Sequence, residues 1–187
     1  HRIRRPEPEL ADLEDAKAAL MKAEKPLIIS GGGVHYSLAT DELKAFAEKH
    51  NIPVVETIAG RATMLQDNPL NAGPIGVTGS DSANYMAAHA DVVLAIGTRL
   101  QDFTTGSWSV FRNPDMKLIA MNVARFDAIK HRALAVKCDA QRGMAKLSQL
   151  LGDWRSSDDW ASTAKAQADE WKAVVQRRTN PCLLYTS

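Results

Sequence analysis

The sequence predicts an α/β protein, a doubly wound, Rossmann-like parallel sheet of about six strands with helices on both faces. Three observations carry that prediction. Short apolar runs, each closed by glycine or a polar turn, recur along the chain. They alternate with stretches whose apolar residues return every three or four positions, the period of a helix. The length, 187 residues with 45% hydrophobic, suits one domain able to bury a core.

The elements follow in order. Residues 1–8 hold three arginines and two prolines and are expected to be a linker entering the domain from another one. Residues 9–23 place Leu10, Leu13, Ala16 and Leu20 at helical spacing. The run 26–30 ends in Gly31-Gly32-Gly33 and has the pattern of a buried parallel strand. A second helix is expected over 40–50, with Leu43, Phe46 and Ala47 on one face and Thr40 as N-cap. Residues 53–57 form a strand, followed by a long loop through Gly60-Arg61 and Asn68-Pro69. A helix over 80–89 opens at Ser80 and turns Ala83, Met86 and Ala87 inward. Strands are expected over 91–96, 117–123 and 134–138, and a closing helix over 140–151. A polar helix carrying Trp160 and Trp171 runs from about residue 156 to about 178 and is expected to connect onward to a further domain. The domain proper is therefore 9–152, the connector 153–180, and 181–187 resemble a translated sequencing adaptor.

Composition excludes several functions. With 23 basic and 22 acidic residues the net charge is +1, so the chain lacks the concentrated positive field of a nucleic-acid or membrane-surface protein. The longest apolar runs, such as 92–96, fall far short of the roughly 20 residues that span a bilayer. Cys138 and Cys182 form neither a disulfide framework nor a metal motif, and a reducing, cytoplasmic setting is expected. His50 and His89 stand at helix ends, where a histidine is electrostatically comfortable, and are expected to be structural.

Ligands of such a sheet sit beyond the carboxyl ends of its strands. Gly31, Gly32 and Gly33 could bring backbone N–H groups close to a phosphate, or could serve a tight strand-to-helix turn. The dinucleotide fingerprint is only partly met, since Tyr36 occupies its last glycine position. Glu56, about 20 residues on, is a candidate for a ribose. Gly76, Val77 and Thr78 open a helix. Gly97, Thr98 and Arg99 follow the clearest strand, where Arg99 could hold a phosphate or pair with Asp102.

Taken together these segments resemble the central domain of thiamine-diphosphate-dependent enzymes, over about residues 10–151. The resemblance rests on Lys25-Pro26-Leu27-Ile28-Ile29-Ser30-Gly31-Gly32-Gly33, on Gly76-Val77-Thr78-Gly79 with Ala83-Asn84, and on Ala90-Asp91-Val92-Val93-Leu94-Ala95-Ile96-Gly97-Thr98-Arg99. Three further stretches, Glu56 to Arg61, Gly97 to Ser107 and Asn122 to His131, look like the branch that opens a cyclic 1,2-diketone in inositol catabolism by hydrolysing a carbon–carbon bond. Arg61 stands where that branch has a lysine. The resemblance implies thiamine diphosphate and Mg²⁺ held by other domains, a small cyclic diketone as substrate, and a homodimer or homotetramer. No catalytic or metal-ligating residue is implied in this chain. In flavin-containing relatives the positions of Gly31, Gly32, Gly33, Gly76, Val77, Thr78, Gly97, Thr98 and Arg99 bind FAD. Asn122 and Ala124 replace two acidic residues of those relatives, which leaves FAD, ADP or no ligand for the groove. A flavin-dependent synthase, a decarboxylase and a stand-alone NAD-binding module are the competing expectations.

Overall fold

The computed structural model describes residues 4–179. The expected tail at 181–187, with Cys182, lies outside the described residues. Six strands, β1 (Pro26–Ser30), β2 (Val54–Glu56), β3 (Asn71–Pro74), β4 (Val92–Ile96), β5 (Lys117–Asn122) and β6 (Leu134–Lys137), form one sheet in the order β3-β2-β1-β4-β5-β6. Every neighbouring pair is parallel, with Ile28 beside both Val54 and Leu94, and Met121 beside Val136. The helices are α1 (Leu10–Leu20), α2 (Gly32–Tyr36), α3 (Thr40–His50), α4 (Asp81–His89), α5 (Asp102–Thr105), α6 (Arg125–Ala128), α7 (Ala140–Leu151) and α8 (Asp158–Thr179).

The sheet separates two apolar cores, as a doubly wound fold requires. On one face Ile28, Leu94, Ile119 and Met121 meet Leu13 of α1, Leu43 and Phe46 of α3, and Leu147 of α7. On the other face Leu27, Ile29, Val93 and Ala95 meet Ala83, Met86 and Ala87 of α4. Every residue of β1 and β4 is buried, because both strands are interior to the sheet and covered on both faces. Burying a leucine, isoleucine or phenylalanine here contributes about 1.5–3 kcal/mol each.

Several boundaries differ from the sequence reading for identifiable reasons. Strand β3 falls inside what the sequence suggests is loop, because Asn71, Gly73 and Pro74 are poor strand formers. Its edge position tolerates the proline, and Asn71 Oδ1 accepts from the Gly73 N–H at 2.9 Å. Thr40 is not the cap of α3. Ala39 occupies that position without a side-chain cap, and its N–H donates to Val34 O at 3.0 Å, so α2 turns directly into α3. Ser80 does cap α4, its Oγ accepting from the Ala83 N–H at 3.1 Å.

Two chain segments outside the alternating core are pinned to it. Trp160 of α8 is buried in the second core, and its indole N–H donates to Pro26 O at 2.8 Å. Ala164 and Ala168, one and two turns on, are buried as well, so this half of α8 packs beside α4 and β3. At the other terminus Arg5 donates to Ser37 Oγ and Asp139 Oδ1, both at 2.9 Å, and the Asp139 N–H donates to Pro6 O. Glu7 pairs with Lys146 at 2.9 Å on exposed α7.

Candidate functional site: the crevice at the carboxyl end of the sheet

From β1 the chain continues to β2 on one side, and from β4 to β5 on the other, so the switch point lies between β1 and β4. Gly31 and Gly97 are the first residues beyond these strands. The Gly31 N–H donates to Ile96 O and the Gly33 N–H to Gly97 O, both at 2.9 Å. A Cβ on Gly31 would lie 2.4 Å from Gly97 O, and one on Gly33 would lie 2.6 Å from Gly97 Cα. Gly97 itself is left-handed, with φ +61°. The glycines therefore serve a backbone-to-backbone contact, and two of the three N–H groups after β1 are already bonded. Only the Gly32 N–H, at the start of α2, has no backbone partner among the described residues.

Beside this joint lies a crevice of about 240 Å³, lined by Gly33, Gly97, Tyr36, Ser37, Asn122 and Asp139 among others. Its one lining carboxylate is committed. Asp139 accepts from Arg5, from the Ser37 hydroxyl at 2.7 Å, and from the Arg142 N–H as the cap of α7. Asn122 is equally tied. Its amide donates to Thr98 O at 3.1 Å, and its Oδ1 accepts from the Ala124 N–H at 3.0 Å. Cys138 also lines the crevice, and burial pushes its thiol up to about 12. It stays a protonated, small apolar group, as its place in the sequence suggests.

Other sequence candidates stand apart from the crevice. Gly76, at φ +117°, is clamped by Asn84, whose Oδ1 accepts from its N–H at 2.9 Å and whose amide donates to its carbonyl at 3.0 Å. The Val77 N–H donates to Phe103 O, leaving the Val77 side chain and Thr78 exposed. Thr98 turns its Oγ1 back to the Leu100 N–H at 3.1 Å. Arg99 is exposed and forms no ion pair among the described residues. The expected partner Asp102 instead accepts from the Ser107 hydroxyl at 2.8 Å. Glu56, the ribose candidate, is engaged within the protein. It is buried and accepts from the Met64 N–H at 3.1 Å, holding the loop after β2. His50 is buried, with Nδ1 2.6 Å from Trp154 O and Nε2 2.9 Å from Ser148 Oγ. His89 stacks on Tyr85.

The sequence reading missed the Arg5–Ser37–Asp139 network and the Asn84 clamp. Asp139, directly before the expected helix 140–151, carried the pattern of an N-cap. Nothing local marked Arg5, which lies 134 residues from its partner. Among the described residues no group of three histidine, cysteine, aspartate or glutamate side chains could hold a metal ion.

A family model described as thiamine pyrophosphate enzyme, central domain, matches residues 13–147. Curated relatives named 3D-(3,5/4)-trihydroxycyclohexane-1,2-dione hydrolase are similar along nearly the whole chain. The one from Clostridium tetani is 41% identical over 180 residues, 96% of this chain and 28% of its own length. That from Clostridium perfringens (strain ATCC 13124) is 42% identical over 184 residues, with the same shares. That from Geobacillus thermodenitrificans is 43% identical over 177 residues, 95% of this chain and 27% of its own length. The chain thus spans little more than a quarter of the length of the relatives it matches.

Proposed function

Since the chain belongs to the thiamine pyrophosphate enzyme family, as a central domain, we propose that it serves in an enzyme that hydrolyses a carbon–carbon bond. The proposed substrate is trihydroxycyclohexane-1,2-dione, opened to 5-deoxy-glucuronate in inositol catabolism. The observation that carries this reading is identity of 41% to relatives bearing that name, spread over 96% of the chain. The setting we propose is cytoplasmic and the assembly a homodimer or homotetramer. Among the described residues no helix is long and apolar enough to cross a membrane.

Thiamine diphosphate, with Mg²⁺, would supply an ylid that attacks a carbonyl and holds the resulting carbanion. The described residues do not fit that group. No cluster suits the metal, and the crevice's one lining carboxylate is consumed by Arg5, Ser37 and the cap of α7. No step of the reaction is therefore assigned to this chain, whose contribution is a rigid sheet. For FAD or ADP the chain offers the Gly32 N–H, the Thr78 hydroxyl and the Arg99 guanidinium as donors, and Asn122 in place of a ribose-binding carboxylate. We read the crevice as a packing joint.

The test is to express the protein with the sequence flanking this chain and follow ring opening by NMR. Product should form only when thiamine diphosphate and Mg²⁺ are added, and the 187 residues alone should be inactive. Acetolactate formation or decarboxylation without ring opening would sink the proposal. For the crevice, a rise in melting midpoint with FAD, ADP or NAD would replace the packing joint by a nucleotide site.

A further inference from the structure

Two loops, one after α5 and one before β6, hold backbone that chains avoid. Ser107 and Trp108 have φ of +52° and +67°, and His131 and Arg132 have φ of +58° and +57°. The first two continue a left-handed run begun by Gly106 at φ +53°, and the second two are a left-handed pair without glycine. Such conformations persist where the surroundings hold them, and they gather at ligand sites. Here the loops hold each other. The Trp108 ring meets the His131 ring edge-on with centroids 4.2 Å apart, and Phe111 packs on Trp108 at 4.9 Å.

Between them lies a cavity of about 560 Å³, walled by Trp108, Phe111, Met116 and Leu134. Lys117 and Leu134 begin β5 and β6, so the cavity is at the amino ends of the strands, away from the crevice. Its volume falls within the range of small-molecule sites, about 300–1,000 Å³. Its charge is one-sided. Lys117 and Arg132 line it, both exposed and neither in an ion pair among the described residues, and no acidic residue lines it. The Asn113 amide is held in place, donating to Ala90 O at 3.0 Å while its oxygen accepts from the Asp115 N–H.

We infer that this cavity binds an amphipathic anion, a flat ring body that lies against Trp108 and Phe111 and carries one carboxylate, sulfonate or phosphate toward Arg132 and Lys117. Aromatic walls take the ring, and the guanidinium fork suits a planar or tetrahedral oxyanion. The site needs no residue of the crevice and does not depend on the proposed hydrolase.

The probe is 1-naphthoate, with neutral 1-naphthamide as its control, titrated into the 187-residue chain by calorimetry. Naphthoate should bind at least about tenfold more tightly than the amide. Arg132→Gln, at an exposed position, should keep the melting midpoint and lose about tenfold in affinity. Trp108→Leu should abolish binding. If that variant fails to fold, Lys117→Gln takes its place, with a loss of several-fold expected. Trp171→Phe, in the separate pocket beside β3, should leave affinity unchanged. Absence of binding, equal binding of both probes, or naphthoate binding indifferent to Arg132→Gln would overturn the inference.

Discussion

Gly33 and Gly97 touch backbone to backbone. The Gly33 N–H donates to the Gly97 carbonyl at 2.9 Å, and a Cβ on either residue would lie 2.6 Å from the Cα of the other. The contact sits where the two halves of the sheet diverge, and it explains glycines that in sequence look equally like a phosphate loop.

Gly97→Ala should therefore cost about 2–4 kcal/mol, from left-handed strain together with overpacking against α2. Gly32→Ala should cost less than about 1 kcal/mol, since its nearest obstacle is the Ala59 methyl at 3.1 Å. Urea unfolding of the two variants separates them. Equal losses would contradict the backbone contact.

Stability should fall as pH drops below about 6.5, in part through His50. Burial holds its folded value below the ordinary one, with Lys49 adding to the shift and the Trp154 hydrogen bond opposing it. The unfolded chain then binds the extra proton first. The contribution is complete above the unfolded value and is lost as pH falls toward the folded one. His131 is shifted the same way, by burial and Lys130. Comparing wild type with His50→Gln between pH 5 and 7.5 isolates the His50 share as a shallower slope in the variant.

Trp160→Ala should cost about 3–5 kcal/mol, because it opens the second core and frees α8. Trp160→Phe keeps most of the packing but leaves Pro26 O without its donor, at about 1–3 kcal/mol. Amide exchange should then show α8 opening before the sheet. Protection of α8 unchanged in Trp160→Ala would refute the anchoring role.

Asp139→Ala removes the cap of α7 and the anchor of Arg5 together, and should cost about 2–4 kcal/mol. Arg5→Ala should cost less, since Asp139 keeps the Ser37 hydroxyl. Limited proteolysis near Pro6 should accelerate in both variants. Resistance equal to wild type would mean the terminal segment is held by the exposed Glu7 pairs instead.

The sheet was legible because its buried strands are continuous apolar runs. The runs 26–30, 91–96, 117–123 and 134–138 each match a strand to within a residue or so. Strand β3 was not, because Asn71-Ala72-Gly73-Pro74 is paired only along one edge and carries no hydrophobic run. At the candidate site, residue types were legible and their partners were not. Gly31, Gly33 and Gly97 stand out in sequence, but only their 2.9 Å bonds across β1 and β4 show which N–H groups are spent. Glu56 looked free for a ribose because its partner, the Met64 N–H, belongs to a loop without local pattern. The strained pair at His131 and Arg132 leaves no trace in residue type at all.

Ile28 and Ile29 are joined by one peptide bond and face different interiors. The sheet acts as a partition. Volume removed at Ile28 opens a void in the interior it shares with α1, α3 and α7, which no enlargement at Ile29 can reach. Changes on the two sides should add and not compensate, and each interior can be repacked in evolution without consulting the other.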